Sequence, residues 1–218
     1  MRTKTLLLTA ALAAAGIASS MAQAVYSVNA VGYVNLSISK GFSIIANPLD
    51  NKSNGNKLGG LIAGVPENTA IYRFINGNFD ISTYAKDDNG NLAWDKPDAV
   101  VAPGEGFFIN NPSASAVTVT FVGDVPTGNL SNALKKGFNL KASQVPQSGQ
   151  LDTVLKFPAT DGDTVYRLVN GNYSISTFAP DDSGNLAWDT APVPAVGEGF
   201  WVFTKADKSW TRNFLVNQ

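Results

Sequence analysis

An internal duplication constrains the fold of this chain more than any other feature of its sequence. Residues 69–95 align with residues 163–189 at an offset of 94, and 17 of the 27 paired positions are identical. After one deleted residue the match resumes, since Gly-Glu-Gly-Phe occurs at 104–107 and again at 197–200. Each copy is about 95 residues long, whereas solenoid repeats are shorter and number at least about three. The duplication therefore predicts two homologous domains in tandem, one over 25–124 and one over 125–218.

Strand signals dominate both copies, so we expect an all-β fold that is mainly antiparallel. Asn76-Gly77 separates two apolar runs, and Asn170-Gly171 repeats this arrangement in the second unit. Asn and Gly both tolerate positive φ, and the type I′ turn that they form matches the twist of a β-hairpin. The apolar runs at 107–110 and 117–122 are expected to pair as another hairpin, and their equivalents in the second unit to do the same.

One short helix is also expected in each unit, because apolar residues there lie at helical spacing. These residues are Leu58, Leu61 and Ile62 in the first unit and Leu151, Val154 and Leu155 in the second. A β-sandwich and a small β-barrel are both compatible with this pattern of strands.

The N-terminus has the three parts of a secretory signal. Two basic residues precede an apolar run over 5–17, and Ala22-Gln23-Ala24 supplies a small-x-small cleavage site. We expect residues 1–24 to be removed after export through the Sec pathway. The apolar run is shorter than the roughly 20 residues that span a bilayer, and no second run follows. The mature chain is thus expected in the periplasm, at the cell surface or outside the cell, with no membrane span.

Composition argues against most enzyme classes. Histidine and cysteine are both absent, which excludes disulfides, thiol nucleophiles, Ser-His-Asp triads and imidazole bases. No glycine-rich phosphate-binding motif occurs either. Without residues 1–24, 14 basic and 17 acidic side chains leave a formal charge of −3, unlike a basic nucleic-acid-binding surface. We therefore expect no catalytic residues, no cofactor and no nucleic-acid partner.

One Trp in each unit is the candidate ligand-binding residue. Trp94 precedes Asp95, and Trp188 precedes Asp189. An exposed indole stacks on a sugar ring while a neighbouring carboxylate bonds its hydroxyl groups, so this arrangement is a candidate polysaccharide site. Burial of both indoles is the favoured alternative, because Trp is highly buried on average and contributes most by burial.

A second candidate is a calcium loop. Asp87, Asn89 and Asn91 follow an every-second-residue spacing, and Asp181 and Asn185 recur in the second unit. A calcium loop requires Gly at the sixth position and an acid at the twelfth. Here Gly90 is at the fourth position and no Glu stands at the twelfth. A plain Asp-x-Asn-Gly turn is the favoured interpretation, and no metal is expected.

Two arginines interrupt apolar strands and need partners. We expect Arg73 to pair with Glu105 and Arg167 to pair with Glu198, as structural ion pairs with the Arg stems lying along apolar surface. An anion clamp is the alternative. We do not expect either Glu to be a glycosidase acid, because hydrolysis needs two carboxylates across one bond.

Three motifs resemble an uncharacterised group of exported, β-rich bacterial proteins. They are Val-Gly-Tyr-Val-Asn at 31–35, Gly-Phe-Ser-Ile-Ile-Ala-Asn-Pro-Leu at 41–49 and Gly-Glu-Gly-Phe-Phe at 104–108. The resemblance implies export and this domain type, and it transfers no catalytic residue. The second unit departs from the pattern at 142–145, where the Asn-Pro-Leu element is lost.

These observations predict a non-catalytic exported protein with a structural or adhesive role at the cell surface or in the extracellular matrix. A carbohydrate-binding protein that uses Trp94 and Trp188 is the alternative. The segment 25–32 has no evident counterpart in the second unit. We expect it to form an extra strand that adds to the sheet edge of a neighbouring copy.

Overall fold

The computed structural model describes residues 30–216, which form two units of seven strands each. The first unit contains β1 (Val31–Ile38), β2 (Gly41–Ala46), α1 (Leu58–Leu61), β3 (Ala70–Ile75), β4 (Asn78–Lys86), β5 (Leu92–Trp94), β6 (Gly106–Asn111) and β7 (Val117–Asp124). The second contains β8 (Gly128–Leu134), β9 (Gly137–Ala142), β10 (Thr164–Val169), β11 (Asn172–Pro180), β12 (Leu186–Trp188), β13 (Gly199–Thr204) and β14 (Lys208–Phe214).

The two units have the same topology. Each has a five-stranded sheet, in the order β2-β6-β3-β4-β5 in the first unit and β9-β13-β10-β11-β12 in the second. Each also has a two-stranded sheet, β1-β7 or β8-β14, and all of these pairings are antiparallel. The expected all-β fold with two similar units is confirmed, and of the two architectures left open by the sequence the structure has the sandwich.

The predicted hairpins around Asn-Gly are present in both units. β3 pairs with β4, and β10 pairs with β11. Asn76 and Gly77 have φ angles of 51° and 81°, and Asn170 and Gly171 have φ angles of 51° and 78°. Positive φ at both central residues is the requirement of a type I′ turn.

The second predicted hairpin is wrong, because β6 and β7 belong to different sheets. β6 lies between β2 and β3, whereas β7 pairs with β1. The buried Asn111 holds the chain where it leaves β6, since its Nδ2 donates to the carbonyl oxygens of Ile38 and Ser115. This link carries the chain from one sheet to the other. Apolar runs predict strands but do not identify their partners.

The helix expectation holds only in the first unit. α1 is a single turn whose Leu58 and Leu61 are buried. In the second unit residues 151–155 form consecutive turns. The N–H groups of Val154 and Leu155 both bond to the carbonyl of Gln150. Leu155 is nevertheless fully buried, so its apolar contact does not require a helix.

The predicted extra N-terminal strand has a counterpart. Val31 and Gly32 begin β1, which pairs with β7 of its own unit. β8 occupies the equivalent place in the second unit, so this strand is not peculiar to the first. The sequences of β1 and β8 share too little for self-comparison to align them. Residues 25–29 and the expected signal at 1–24 lie outside the described residues.

Each unit has its own core between its two sheets. The first core includes Ile71, Phe107 and Phe121, and the second includes Val165, Phe200 and Trp210. Within 30–216, no helix has the length and apolar character needed to cross a membrane.

Backbone hydrogen bonds join the two units in a symmetric pattern. The N–H of Ala46 donates to the carbonyl of Gly197 at 2.8 Å, and the N–H of Ala142 donates to the carbonyl of Gly104 at 3.0 Å. Ala46 ends β2 and Ala142 ends β9. Each bond therefore joins the end of an edge strand in one unit to the first Gly of the Gly-Glu-Gly-Phe motif in the other. The units are therefore related locally by an approximate twofold axis at the repeated Gly-Glu-Gly-Phe motifs.

This junction requires glycine because the backbones approach each other closely. A Cβ added at Gly199 would lie 2.7 Å from the carbonyl oxygen of Ile45, and one added at Gly106 would lie 2.9 Å from that of Lys141. Carbonyl oxygens of the backbone cannot rotate away as the tip of a side chain can. The last Gly of each motif therefore marks a contact between the units.

We predict that Gly199→Ala lowers the free energy of unfolding by about 1–3 kcal/mol, since the added methyl group forces the two backbones apart. Gly32→Ala is the matched control, because a Cβ there would meet only side-chain atoms of Leu49 at 3.8 Å or more. Denaturant titration of both variants measures the difference. Equal destabilisation would contradict the proposed role of the close approach.

Candidate functional site

Both candidate tryptophans lie in the cores. Trp94 is 4% exposed and Trp188 is 9% exposed. The Nε1 of Trp94 donates to the carbonyl of Ile62 at 2.7 Å, whereas the Nε1 of Trp188 has no partner among the described residues. Neither indole presents a face on which a sugar could stack. The alternative of burial, which the sequence favoured, is what the structure has.

The aspartates beside these tryptophans hold strands together. Asp95 Oδ1 accepts hydrogen bonds from the Ser82 hydroxyl at 2.6 Å and the Thr83 N–H at 2.9 Å. Asp189 Oδ1 accepts the equivalent bond from the N–H of Thr177 at 3.0 Å. Both carboxylates thus tie the end of a three-residue strand to the long strand beside it.

The candidate calcium loops are capped turns. Asp87 Oδ1 accepts the N–H groups of Asn89 and Asn91 at 2.9 and 2.8 Å, and these bonds lower the pKa of Asp87. Asp181 Oδ1 accepts those of Ser183 and Asn185 at the same distances. The side chains of Asn89, Asn91 and Asn185 thus lie within two turns whose carboxylates bond to the backbone. Among residues 30–216, no three acidic side chains cluster in a way that could hold a metal ion.

The predicted pair between Arg73 and Glu105 is wrong. Arg73 binds Asp80, which lies directly across from it on β4, and its Nη1 donates to the carbonyl of Val100 at 2.7 Å. Lys96 also contacts Asp80, and both cations lower the pKa of that carboxyl group. A partner on the adjacent strand satisfies Arg73, so Glu105 is left out of the pair.

The predicted pair between Arg167 and Glu198 is present and bidentate. Arg167 Nε and Nη2 donate to the two carboxylate oxygens of Glu198 at 2.7 and 2.8 Å. Both side chains are mostly buried, with 20% and 16% exposed. Ser174 stands across from Arg167, where the first unit has Asp80. Because Ser174 cannot form an ion pair, Arg167 binds Glu198 of its own unit, whereas Arg73 binds Asp80.

Glu105 lies instead beside Lys141 of the other unit, and a backbone bridge links the two residues. Burial lowers the pKa of Lys141, although the charge of Glu105 partly offsets this effect. Ile45 bridges Glu198 at the equivalent place. The two halves of the junction therefore differ in charge while keeping the same backbone geometry.

The Asn-Pro-Leu element of the first unit is structural. Asn47 is fully buried, and its Nδ2 donates to Asn56 Oδ1 at 3.0 Å and to the carbonyl of Val101 at 3.2 Å. Its Oδ1 accepts the N–H of Leu49 at 3.1 Å. These bonds order the long connection after β2, which the second unit replaces with a different loop.

The surface that sequence reasoning missed is the outer face of the two five-stranded sheets, which we call the aromatic face. Cross-strand register and ring contacts place thirteen large apolar side chains with solvent-exposed surface on it. They are Phe42, Tyr72, Phe74, Phe79, Ile81, Phe108, Phe138, Tyr166, Leu168, Tyr173, Ile175, Trp201 and Phe203.

Trp201 makes the aromatic face continuous across the two units. Its ring centroid lies 4.8 Å from that of Phe74, 6.2 Å from that of Phe79 and 6.0 Å from that of Phe108, all of which belong to the first unit. It also lies 6.1 Å from Phe138 of its own unit. These spacings are those of favourable aromatic pairs.

The aromatic face is exposed and uncharged. Six of its residues are 43–54% exposed: Phe42, Phe79, Ile81, Phe138, Tyr173 and Ile175. Side chains alternate between the two faces of a strand, and no outward position on β2, β3, β4, β6, β9, β10, β11 or β13 holds Lys, Arg, Asp or Glu. A groove of about 390 Å³ crosses the face and is lined by six aromatic rings.

A signal for this face was present in the sequence. Tyr72 and Phe74 alternate with Ile71 and Ile75, so β3 has apolar residues on both of its faces. A half-buried strand alternates apolar and polar residues. Apolar residues on both faces of an antiparallel strand indicate that the outer face also has an apolar partner, whether inside the chain or outside it.

We predict that Trp94→Phe destabilises the fold by about 1 kcal/mol more than Trp188→Phe does. Both substitutions shrink a buried aromatic side chain, but only the first removes a hydrogen bond and leaves the Ile62 carbonyl without it. Urea titration of the two variants provides the comparison. A larger loss in Trp188→Phe would contradict this account.

We also predict that Glu198→Gln lowers the free energy of unfolding by about 1.5–3 kcal/mol, because it breaks two charge-assisted hydrogen bonds to the mostly buried Arg167. Glu105→Gln is the matched control, and its effect is expected to stay within about 1 kcal/mol, since it removes no arginine contact and only the charge interaction with Lys141. Thermal and chemical denaturation of both variants tests this, and the reverse ranking would refute the assignment.

Comparisons with known proteins offer no template for the site. No family model, no curated protein and no solved structure matches the chain. The contacts, burial and charges of the described residues are therefore what bears on its function.

Proposed function

We propose that this chain is an exported, non-catalytic structural or adhesive protein, and that the aromatic face is its contact surface. The single observation that supports this role is the continuous, uncharged aromatic surface shared by both units. Monomeric soluble proteins rarely expose apolar patches larger than a few hundred Å², and larger patches mark interaction sites. The secretory pattern at 1–24 supports a place at the cell surface or in the extracellular matrix.

The packing of the two cores does not account for the aromatic face. Each sandwich already buries its inner residues, including Trp94 and Trp188, so the outer aromatic side chains are not required to complete a core. Exposed aromatic residues in place of polar ones increase the risk of aggregation and are expected only where a partner covers them. The face therefore fits a contact role better than a packing role.

A carbohydrate-binding role receives less support than the sequence alone suggested. The two indoles proposed for stacking are buried. The aromatic face offers no carboxylate or other charged group that could bond sugar hydroxyls. The polar groups at its outward positions are three tyrosine hydroxyls and the side chains of Thr83, Asn110, Thr164 and Thr177. A sugar site combines apolar walls with several convergent polar groups, so we do not carry polysaccharide binding forward as a second function.

We predict that deleting the gene in the organism that encodes it weakens cell–cell or cell–surface attachment. Wild-type protein should restore attachment, whereas Phe79→Lys should not, because a charge at the centre of the aromatic face opposes burial against any apolar partner. Tyr33→Lys is the control, since Tyr33 is 72% exposed on β1, outside the face. Attachment assays and fractionation of a tagged chain measure the outcome.

Two results would overturn the proposal. Retention of the tagged chain in the cytoplasm would refute export. Full restoration of attachment by Phe79→Lys, in protein exported to the same level as wild type, would refute the aromatic face as the contact surface.

A further inference from the structure

We propose that the partner of the aromatic face is a second copy of this chain, so that the protein assembles as a symmetric homodimer. This inference rests on the proposed function, because it names the occupant of the same contact surface. Three properties of the face carry it: its area, its lack of charge and its duplicated layout.

The exposed area matches what a stable dimer needs. Aromatic side chains each offer about 150–250 Å², and an isoleucine lies near the low end of this range. Four aromatic residues and two isoleucines of the face are about half exposed, so these six alone present roughly 450–700 Å². The seven partly covered residues bring the total near the roughly 800 Å² that each partner contributes to a standard interface. A small ligand would cover only the groove of about 390 Å³.

The absence of charge selects among macromolecular partners. A polysaccharide would find few hydrogen-bond partners on this face, which offers three tyrosine hydroxyls, three threonines and one asparagine but no carboxylate. An anionic lipid surface would need basic residues, and the outward positions of the eight strands hold none. A second copy presents the same uncharged surface, so its burial leaves no ion unpaired. Interface cores are depleted of charged residues and enriched in Tyr, Trp and Phe.

The duplication provides a surface suited to pairing with itself. Phe79 of the first unit corresponds to Tyr173 of the second, and Ile81 corresponds to Ile175. The face thus has two similar halves on either side of the junction. In an isologous dimer each half contacts the equivalent or opposite half of the other copy, and both faces are covered at once.

Purified mature chain, residues 25–218, tests the inference by analytical ultracentrifugation between about 1 and 100 µM. We expect twice the monomer mass for the wild type. Tyr173→Lys and Phe79→Lys should each raise the dissociation constant at least tenfold, because each buries a charge in the contact. Tyr33→Lys makes the same chemical change to a tyrosine outside the face and should leave the dissociation constant unchanged.

A second measurement does not depend on a disruptive variant. Because the chain has no cysteine, Ile175→Cys and Tyr33→Cys each introduce a single thiol. Maleimide labelling of Cys at position 175 should slow as protein concentration rises through the dimerisation range. Labelling at position 33 should not change. Far-UV circular dichroism and the thermal midpoint establish that each variant is folded.

A wild-type chain that is monomeric throughout this range overturns the inference. So does equal weakening by Tyr33→Lys and Tyr173→Lys, which would place the dimer contact elsewhere. If the chain is monomeric while Phe79→Lys still abolishes attachment in cells, the partner is not a second copy, but the proposal that the aromatic face is the contact surface stands. If the dimer forms through the face but attachment is unaffected, the inference stands and the proposed cellular role falls.

Discussion

The close approach of the two units at their Gly-Glu-Gly-Phe motifs is the contact on which the rest of the surface depends. Gly106 and Gly199 let backbone carbonyl oxygens of the opposite unit come within 3 Å of where a Cβ would stand. The bonds of Ala46 and Ala142 then join the ends of the two edge strands to the other unit. This junction brings the outer faces of the two five-stranded sheets together. Trp201 can bridge the two halves because the strands that carry the rings meet at this point.

The duplication preserved backbone geometry more strictly than charge. Arg73 and Arg167 occupy equivalent places, yet one binds an aspartate on the neighbouring strand and the other binds the glutamate of its motif. The exchange of Asp80 for Ser174 accounts for the difference. Because Asp80 satisfies Arg73 in the first unit, Glu105 makes no ion pair with it and lies beside the partly buried Lys141. Charged pairs could change because each needs only a partner within reach, whereas the glycines could not change without separating the backbones.

The contrast between the inner and outer sheet faces bears on function. The inner faces bury Trp94 and Trp188, the residues that looked most like binding groups in the sequence. The outer faces hold the exposed rings, whose burial in each unit is incomplete. Exposed apolar area contributes favourable free energy only when it is removed from water. The exposed rings thus keep apolar area available for association, as the proposed contact role requires.

The sequence by itself determined the all-β class, the two similar units and the Asn-Gly hairpins, because these depend on local turn chemistry, on strand periodicity and on identity between the copies. Tertiary structure decided which strands pair, since an apolar run such as 107–110 does not show which strand it will pair with. It also decided the partners of Arg73 and Arg167, through a cross-strand register that only the folded sheet defines. Tertiary structure also decided the aromatic face. An aromatic ring at an outward position of a strand is buried or exposed depending on whether another part of the fold covers it.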